Sequence, residues 1–302
     1  MKSIQSILVK IAFNYAWGGW RGSHLIWGFV KRVKSHNTPT VVAQLPNGFS
    51  VLYNDKDWIT RTITEGTYER ALLHFLDSLR ADSLVVDVGA NIGVTLWHSL
   101  KNSTEGATYL AFEPSAQCFL GLEFSSSQLN RPGSILKFAL GETNKSSRMY
   151  GIGNELHSGG ASLKRHPGHN NNSENVQVRT LDSVLFETHE RESISLLKID
   201  TEGFERQVLS GAQMTLKSKK VEILILEVSP NFGDISYLKD LARVLNKNYV
   251  WFILNERGFI KRKPDLRPID LDLALSRMEQ WNLVIIRKDI LEKYSRNQHS
   301  YF

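Results

Sequence analysis

Hydrophobic residues between Leu84 and Arg287 fall into short, nearly uninterrupted runs, and longer amphipathic segments separate these runs. Runs of this length, rich in Val, Ile and Leu, are typical of strands that are covered on both faces of a sheet. The pattern predicts a sheet of about seven strands, and the runs that could form them are the eight at Leu84–Val88, Thr108–Phe112, Ile135–Leu140, Val176–Leu181, Ile194–Ile199, Val221–Val228, Tyr249–Leu254 and Leu283–Arg287.

Apolar residues at helical spacing fill the intervals, for example from Tyr68 to Leu79 and from Ile235 to Asn246. Because strand and helix alternate and crossovers are right-handed, the sheet is expected to be parallel, with the last strand antiparallel. The fold class predicted is α/β, with a Rossmann-like, doubly wound, mostly parallel seven-stranded sheet. One segment, Lys145–Asn175, breaks the rhythm and is predicted to be a long excursion over the sheet edge or the active site.

Residues 1–60 are predicted to be an N-terminal helical and aromatic extension, and residues 61–302 to be the main domain. The first 40 residues are rich in Trp, Phe, Ile and Val and contain scattered Lys and Arg with almost no acids. Two interpretations are open. The favoured one is a helical extension packed on the domain or on a second subunit, and the other is an amphipathic surface lying on an anionic membrane.

Composition places the chain among globular proteins. Its 302 residues include 41% hydrophobic residues, which is enough for a full core, and no uncharged apolar run reaches the roughly 18 residues of a spanning helix. A single cysteine, Cys118, fits a reducing compartment. We therefore expect a cytoplasmic protein, with residues 1–40 as the segment that would contact a membrane. The net charge of +6 is spread out, and no nucleic-acid partner is expected.

A turn rich in glycine follows the first of these strands. Asp87, Gly89, Asn91 and Gly93 lie where an open α/β sheet binds ligands, beyond the carboxyl ends of its strands. Glu113 ends the second strand about 20 residues later, a position suited to two ribose hydroxyls. The end of the third strand adds Leu140 to the predicted cofactor site.

The spacing of this turn distinguishes between two ligands. A dinucleotide fold needs G-x-G-x-x-G so that helix amides can hold a pyrophosphate. Here Gly89 is followed by Gly93, and Asp87 would repel a pyrophosphate but could bind an amine. Open backbone amides around Gly89 and Asn91 would bind a carboxylate. Charge complementarity therefore favours S-adenosylmethionine over NAD.

The same motifs give the chain a family resemblance over about Tyr68–Pro230. They are Asp87-Val-Gly-Ala-Asn-Ile-Gly93, Phe112-Glu113-Pro114, Thr180-Leu-Asp182, Lys198-Ile-Asp200-Thr-Glu202-Gly203-Phe-Glu205 and Val208-Leu-Ser-Gly211-Ala212. The chain resembles the FkbM family of S-adenosylmethionine-dependent methyltransferases. The resemblance implies a class I methyltransferase fold, S-adenosylmethionine as cofactor, O-methyl transfer, and a lid or cofactor contact at Tyr68-Glu69. Thr201 stands where the family usually has Val.

Alcohol acceptors need a base or a metal, since they are poor nucleophiles until deprotonated. We expect Asp200 to be the base or the group that orients the acceptor, with Glu202 as second choice. Lys198 is expected to pair with Asp200 or Glu227. A divalent metal on Asp200 and Glu227 is conceivable, but no loop has dedicated metal spacing, and the site prediction contains no metal. Glu202 and Glu205 also have structural interpretations, in a turn and at a helix N-terminus.

Three histidines, His157, His166 and His169, lie in the Lys145–Asn175 excursion. The segment is either a substrate lid that supplies a base or a solvated loop. Its polar residues suit a hydroxylated acceptor, namely a sugar, a glycan or a small secondary metabolite. Two other functions stay open: a non-catalytic membrane-associated module that keeps the fold, and an NAD-dependent oxidoreductase. The sequence does not define the oligomeric state.

Overall fold

The computed structural model describes residues 41–45, 48–54, 56–153, 158–167, 169–188, 193–218, 220–254 and 266–297. The strands within these ranges are β1 (Val41–Gln44), β2 (Ser50–Tyr53), β3 (Leu84–Val88), β4 (Thr108–Phe112), β5 (Gly133–Leu136), β6 (Ala139–Leu140), β7 (Lys145–Tyr150), β8 (Ser173–Arg179), β9 (Ile194–Ile199), β10 (Val221–Val228), β11 (Tyr249–Leu254), β12 (Leu266–Pro268) and β13 (Trp281–Arg287).

The helices of the same ranges lie mostly between the strands of the sheet. They are α1 (Trp58–Thr64), α2 (Arg70–Ser78), α3 (Val94–Leu100), α4 (Ala116–Ser126), α5 (Leu181–Thr188), α6 (Glu205–Ser210), α7 (Gln213–Lys217), α8 (Tyr237–Leu245), α9 (Leu271–Leu275) and α10 (Lys288–Asn297). Ser158–Gly160, Pro230–Phe232 and Asn246–Asn248 form short 3₁₀ turns.

The central sheet has the strand order β12-β11-β13-β10-β9-β3-β4-β5. Neighbours from β10 to β5 are parallel, whereas β13 runs antiparallel to both β10 and β11. This arrangement confirms the predicted α/β fold with a doubly wound, mostly parallel sheet and an antiparallel last strand. The sheet has eight strands rather than seven because β12 pairs with the edge strand β11.

Helices cover the sheet on both faces, which explains the continuous apolar runs. Every residue of β3 and β9 is buried. Within β3, Val85 packs into one hydrophobic cluster with Leu72 and Leu96, and Val86 packs into the other with Val208 and Leu238. Strands buried in this way need apolar side chains at successive positions, so period-2 alternation is absent from them.

Residues 139–179 depart from the prediction. Ile135–Leu140 divides into β5, which belongs to the central sheet, and β6, which pairs with β8 in a separate sheet of order β6-β8-β7. The segment Lys145–Asn175 therefore begins with a strand, β7, that pairs antiparallel with β8. Most side chains of β7 are exposed or half-buried and only Met149 is buried, so a polar sequence forms a regular strand on the surface of the molecule.

Most of the described part of the predicted helical extension is a β-hairpin, and helix α1 begins only at Trp58. Its β1 and β2 strands pair antiparallel, and Phe49 packs on Trp97 with ring centroids 5.0 Å apart. Ser50 exchanges hydrogen bonds of 2.8 Å with the Gln128 side chain. The hairpin therefore belongs to the core of the domain. Residues 1–40, with their two interpretations, lie outside the described residues.

One predicted helix is also modified. The predicted helix Phe204–Leu216 is divided into α6 and α7, because the two carboxylate oxygens of Asp182 accept hydrogen bonds of 2.8 Å from the backbone N–H groups of Met214 and Thr215 in the first turn of α7.

No helix among the described residues combines the length and apolar composition that crossing a bilayer requires.

Candidate active site

A cavity of about 530 Å³ opens at the carboxyl ends of four adjacent strands, β10, β9, β3 and β4. Each of these strands contributes residues to the wall of the cavity. The residues just before α2 and the segment before β8 also contribute to it. This volume lies in the range of small-molecule and cofactor sites. The wall contains eight of the residues that were predicted to form the site, namely Glu69, Gly89, Asn91, Glu113, Leu140, Lys198, Asp200 and Glu202.

Backbone strain is concentrated at this cavity. Among the described residues, the non-glycine residues with positive φ are Glu69 (33°), Asn91 (51°) and Glu202 (54°), and all three line the wall. Left-handed backbone costs a non-glycine residue of the order of 1–3 kcal/mol, and it persists where the surrounding structure enforces it. Their coincidence in one cavity therefore marks a functional site independently of any motif.

Gly89 brings the two acidic motifs together. It has φ of 78°, and a Cβ atom built on it would lie 1.8 Å from the carbonyl oxygen of Asp200. Asp200 in turn donates its backbone N–H to Val88. The glycine is thus required by the neighbouring strand end, in addition to any ligand. Gly93 allows the close approach of helix α4, because a Cβ atom at this position would lie 3.0 Å from Leu122 and 3.1 Å from Ser125.

Glu113 holds the turn after β3 with one carboxylate oxygen and the segment after β4 with the other. Oε2 accepts the backbone N–H of Asn91 at 2.9 Å, and Oε1 accepts that of Ser115 at 2.8 Å. Burial raises the pKa of the Glu113 carboxyl to about 7, although these two hydrogen bonds act in the opposite direction. The prediction of open amides around Gly89 and Asn91 was wrong, because Gly89 donates to Phe112 and Asn91 donates to Glu113.

Lys198 links the first motif to the second. Its Nζ lies 2.8 Å from Oδ2 of Asp200 and 3.8 Å from Oδ1 of Asp87, so the predicted pairing with Asp200 is confirmed. Burial lowers the pKa of Lys198, but the two carboxylates outweigh it and raise the pKa, so the side chain is a cation rather than a base. Asp87 lies behind the cavity wall, where Thr95 donates to it at 2.9 Å.

Glu202 and Glu205 have different surroundings. Oε1 of Glu205 accepts hydrogen bonds from the backbone N–H groups of Thr201 and Gly203 and from the Thr201 hydroxyl, at 2.9–3.0 Å. Glu205 therefore holds the turn, the role that sequence reasoning had considered for Glu202. Glu202 faces the cavity instead. Burial together with the carboxylates of Asp200, Glu205 and Glu69 raises its pKa to about 8.

The histidine-bearing segment covers the site. His166 and His169 both line the cavity, and His157 lies outside the described residues. The Nε2 atom of His166 donates to the backbone oxygen of Glu202 at 2.8 Å, and its ring stacks on Phe232 at a centroid distance of 4.3 Å. Ser162 donates to the same oxygen at 2.8 Å. The segment is therefore anchored over the strand ends.

Two further residues of the wall were named from the sequence only in alternative roles, Glu227 as a partner of Lys198 or a metal ligand and Tyr68 as a lid or cofactor contact. Glu227, at the end of β10, is buried with 5% of its surface exposed, and its Oε1 accepts from Gln280. Tyr68 lies beside four carboxylates, and its pKa is raised well above the usual value by burial and by their charges. The available signal was the position of Glu227 at the carboxyl end of an apolar strand, because an acid is seldom buried without a partner.

Residues 87–260 match the Methyltransferase FkbM domain, which covers more than half of the chain. The chain belongs to the FkbM methyltransferase family. This FkbM methyltransferase is S-adenosylmethionine-dependent, and the class I methyltransferase fold implied by the resemblance is the one that the sheet order shows. The choice between S-adenosylmethionine and NAD is thereby decided in favour of S-adenosylmethionine.

A curated relative of this FkbM methyltransferase is Methyltransferase 1 of Beauveria bassiana (strain ARSEF 2860), which is 26% identical over 64% of this chain and 80% of its own. Solved structures with similarity include a SAM-dependent methyltransferase from Agrobacterium tumefaciens, with TM-score 0.40 and 10% identity over 84% of this chain and 72% of that chain. A putative O-methyltransferase from Klebsiella pneumoniae has TM-score 0.38 and 9% identity over 73% and 80%.

The donor set of the FkbM methyltransferase cavity fits its cofactor. S-adenosylmethionine carries an adenosine, an ammonium, a carboxylate and a sulfonium. Glu113 is a carboxylate at the wall with lone pairs left for hydroxyl donors such as those of a ribose, and the Oδ1 atom of Asn91 is buried at the wall with no hydrogen-bond partner among the described residues. An unpaired acceptor of this kind suits a positively charged donor.

Proposed function

We propose that this FkbM methyltransferase methylates a hydroxyl group of a sugar, a glycan or a small secondary metabolite. The observation that carries the proposal is Glu202, a carboxyl at the cavity whose pKa is raised to about 8. A general base is most effective when its pKa is near the working pH. Because a hydroxyl must lose its proton in order to accept a methyl group, such a base matches this class of acceptor.

The other residues of the wall would position the reactants. Lys198 holds Oδ2 of Asp200 at 2.8 Å, so Asp200 presents a fixed carboxylate that could orient the acceptor hydroxyl, while Glu202 takes the proton. S-adenosylmethionine supplies a methyl group on a sulfonium, which is already a good leaving group. Orientation of the acceptor is therefore the main task of the protein, and it accounts for much of the lowering of the barrier in such reactions.

For the cofactor we propose a contact between Glu113 and the ribose hydroxyls, with Asn91 and Glu69 near its methionine part. Leu140 contributes an apolar surface that is 2% exposed. Gly89 and Gly93 shape the turn between these contacts. Asp87 stays a predicted amine ligand, although its position behind Lys198 supports a role in holding that cation.

Glu202→Gln tests the acceptor chemistry. With labelled S-adenosylmethionine and a panel of glycosides and small alcohols, the wild type should label at least one hydroxyl, and its kcat/KM should rise with pH up to about pH 8 as Glu202 ionises. The variant should lose roughly 10²–10⁴-fold in rate and this rising limb. Transfer by the wild type to amines alone would contradict the proposal, and so would an unchanged pH profile in the variant.

Glu113→Gln tests the cofactor contact by calorimetry. With a pKa of about 7, Glu113 is roughly 10% ionised at pH 6 and 90% at pH 8, so the wild type should bind S-adenosylmethionine roughly tenfold more weakly at pH 6. The variant should bind at least tenfold more weakly than the wild type at pH 8, with a flat pH dependence.

Glu174→Gln is the matched control for Glu113→Gln. Glu174 accepts the backbone N–H of Ala116 at 3.1 Å, one residue beyond the amide that Glu113 holds, and it lies outside the cavity wall. It should therefore keep wild-type affinity and pH dependence. Equal affinities of the wild type and Glu113→Gln at pH 8 would rule out the ribose contact.

A further inference from the structure

Three carboxylates from three separate elements converge at one side of the cavity. Glu69 precedes α2, Asp200 follows β9 and Glu227 ends β10, and one oxygen of each lies within 4.8 Å of the other two. The chain brings them together through the adjacency of β9 and β10 and through the left-handed backbone at Glu69, whose φ is 33°. Three like charges at this spacing repel one another unless a cation or protons neutralise them.

An unpaired buried oxygen points to a cation. Oε2 of Glu227 has no hydrogen-bond partner among the described residues, although its Oε1 accepts from Gln280, and 5% of the residue is exposed. Leaving a carboxylate oxygen buried and unsatisfied costs a substantial desolvation penalty.

The ammonium group of Lys198 is directed elsewhere. It lies between Oδ2 of Asp200 and Oδ1 of Asp87, at 2.8 and 3.8 Å. This contact fixes the Asp200 carboxylate and leaves its Oδ1 for a second ligand. The acidic group Glu69, Asp200 and Glu227 is therefore held in place from behind and faces the cavity with an excess of negative charge.

We propose that Glu69, Asp200 and Glu227 bind a divalent cation of the Mg²⁺ class. Hard cations prefer oxygen ligands, and Mg²⁺ takes one or a few carboxylates while keeping positions for water or substrate. In an octahedral site with bonds of about 2.1 Å, oxygens at neighbouring positions lie about 3 Å apart and opposite ones about 4.2 Å apart. The three carboxylate oxygens lie within 4.8 Å of one another and would move closer together on binding the ion.

The role of the cation, unlike its binding, rests on the proposed function. A hydroxyl oxygen bound at an open coordination position is oriented and becomes more acidic, since the cation stabilises the charge that develops on it. The O–H bond would then break with its electron pair staying on oxygen, and the proton would pass to the carboxylate of Glu202. The oxygen would form a bond to the methyl carbon while the C–S bond of S-adenosylmethionine breaks with its electron pair on sulfur, which leaves the neutral thioether. The cation and Glu202 would thus share the activation of the acceptor.

Mn²⁺ titration of the full chain, followed by electron paramagnetic resonance without cofactor or acceptor, tests the site. The wild type should bind one Mn²⁺ that Mg²⁺ displaces. Glu227→Gln and Glu69→Gln should each weaken binding at least tenfold, with folding verified by circular dichroism. Glu222→Gln is the control on the same strand, since its carboxylate lies 3.5 Å from Arg287, outside the acidic group, and it should bind like the wild type.

Two results would overturn the cation site: absence of stoichiometric Mn²⁺ binding in the wild type, or equal binding in the wild type and in both variants. The proposed function fails differently. If the wild type binds Mn²⁺ and the variants do not, but no hydroxyl is labelled by S-adenosylmethionine, the cation site is supported and the proposal of O-methylation is contradicted. If hydroxyls are labelled at full rate in the presence of a chelator and no Mn²⁺ binds, the proposal of O-methylation is supported and the cation site is contradicted.

Discussion

Gly89→Ala is expected to abolish cofactor binding and to lower the free energy of unfolding by at least ~3 kcal/mol. Two costs add up. The residue has φ of 78°, which alanine adopts only with strain, and the new Cβ would lie 1.8 Å from the carbonyl oxygen of Asp200. That oxygen belongs to the backbone at the end of β9, so it cannot move aside as a flexible side chain would. Thermal denaturation and calorimetry with S-adenosylmethionine measure both effects.

Gly106→Ala is the control for this prediction. Its Cβ would meet nothing nearer than the Asp82 carbonyl at 4.0 Å, and its backbone does not require glycine. It should therefore change stability by less than ~1 kcal/mol and leave cofactor binding intact. A Gly89→Ala protein that melts and binds like Gly106→Ala would show that the close approach of β3 and β9 is dispensable.

The effect of Gly89 illustrates what the sequence could and could not predict. Strands β3, β4, β9, β10 and β11 were predicted with their observed bounds, because a strand buried on both faces must be apolar along its whole length. The same rule does not apply at the surface. Strand β7 was missed because its exposed side chains carry no hydrophobic pattern, and its pairing partner β8 lies more than 20 residues away.

The site shows a similar division. Residue types at strand ends predicted which acids would meet, since the topology of a parallel sheet places those ends at one edge. Apart from the predicted pair of Lys198 and Asp200, the partners of the acids were not predictable, because they depend on side-chain directions and on amides of other elements. Glu205 was left as a charge at a helix N-terminus, yet it accepts three hydrogen bonds from the turn. Glu227 lies beside Asp200 because β10 pairs with β9 in the sheet.

Lys198→Met is expected to destabilise the fold by about 3–5 kcal/mol at pH 8, because it leaves Asp87 and Asp200 without their shared cation. Lys198 is 3% exposed and Asp87 is 2% exposed, so water cannot replace the ammonium group. Burial already raises the pKa of Asp87, and loss of Lys198 raises it further. Urea denaturation at several pH values measures the difference.

The pH dependence separates this effect from a loss of packing. In the variant, folded Asp87 holds a proton at pH values where the unfolded chain has lost it, so the folded state binds more protons and becomes more stable as the pH falls from 8 towards 5. The gap to the wild type should therefore narrow at low pH. Lys101→Met, which removes a half-exposed lysine 3.2 Å from Asp77, should cost less than ~1 kcal/mol. A cost for Lys198→Met as small as this, or one that is constant with pH, would mean that the carboxylates do not depend on the lysine.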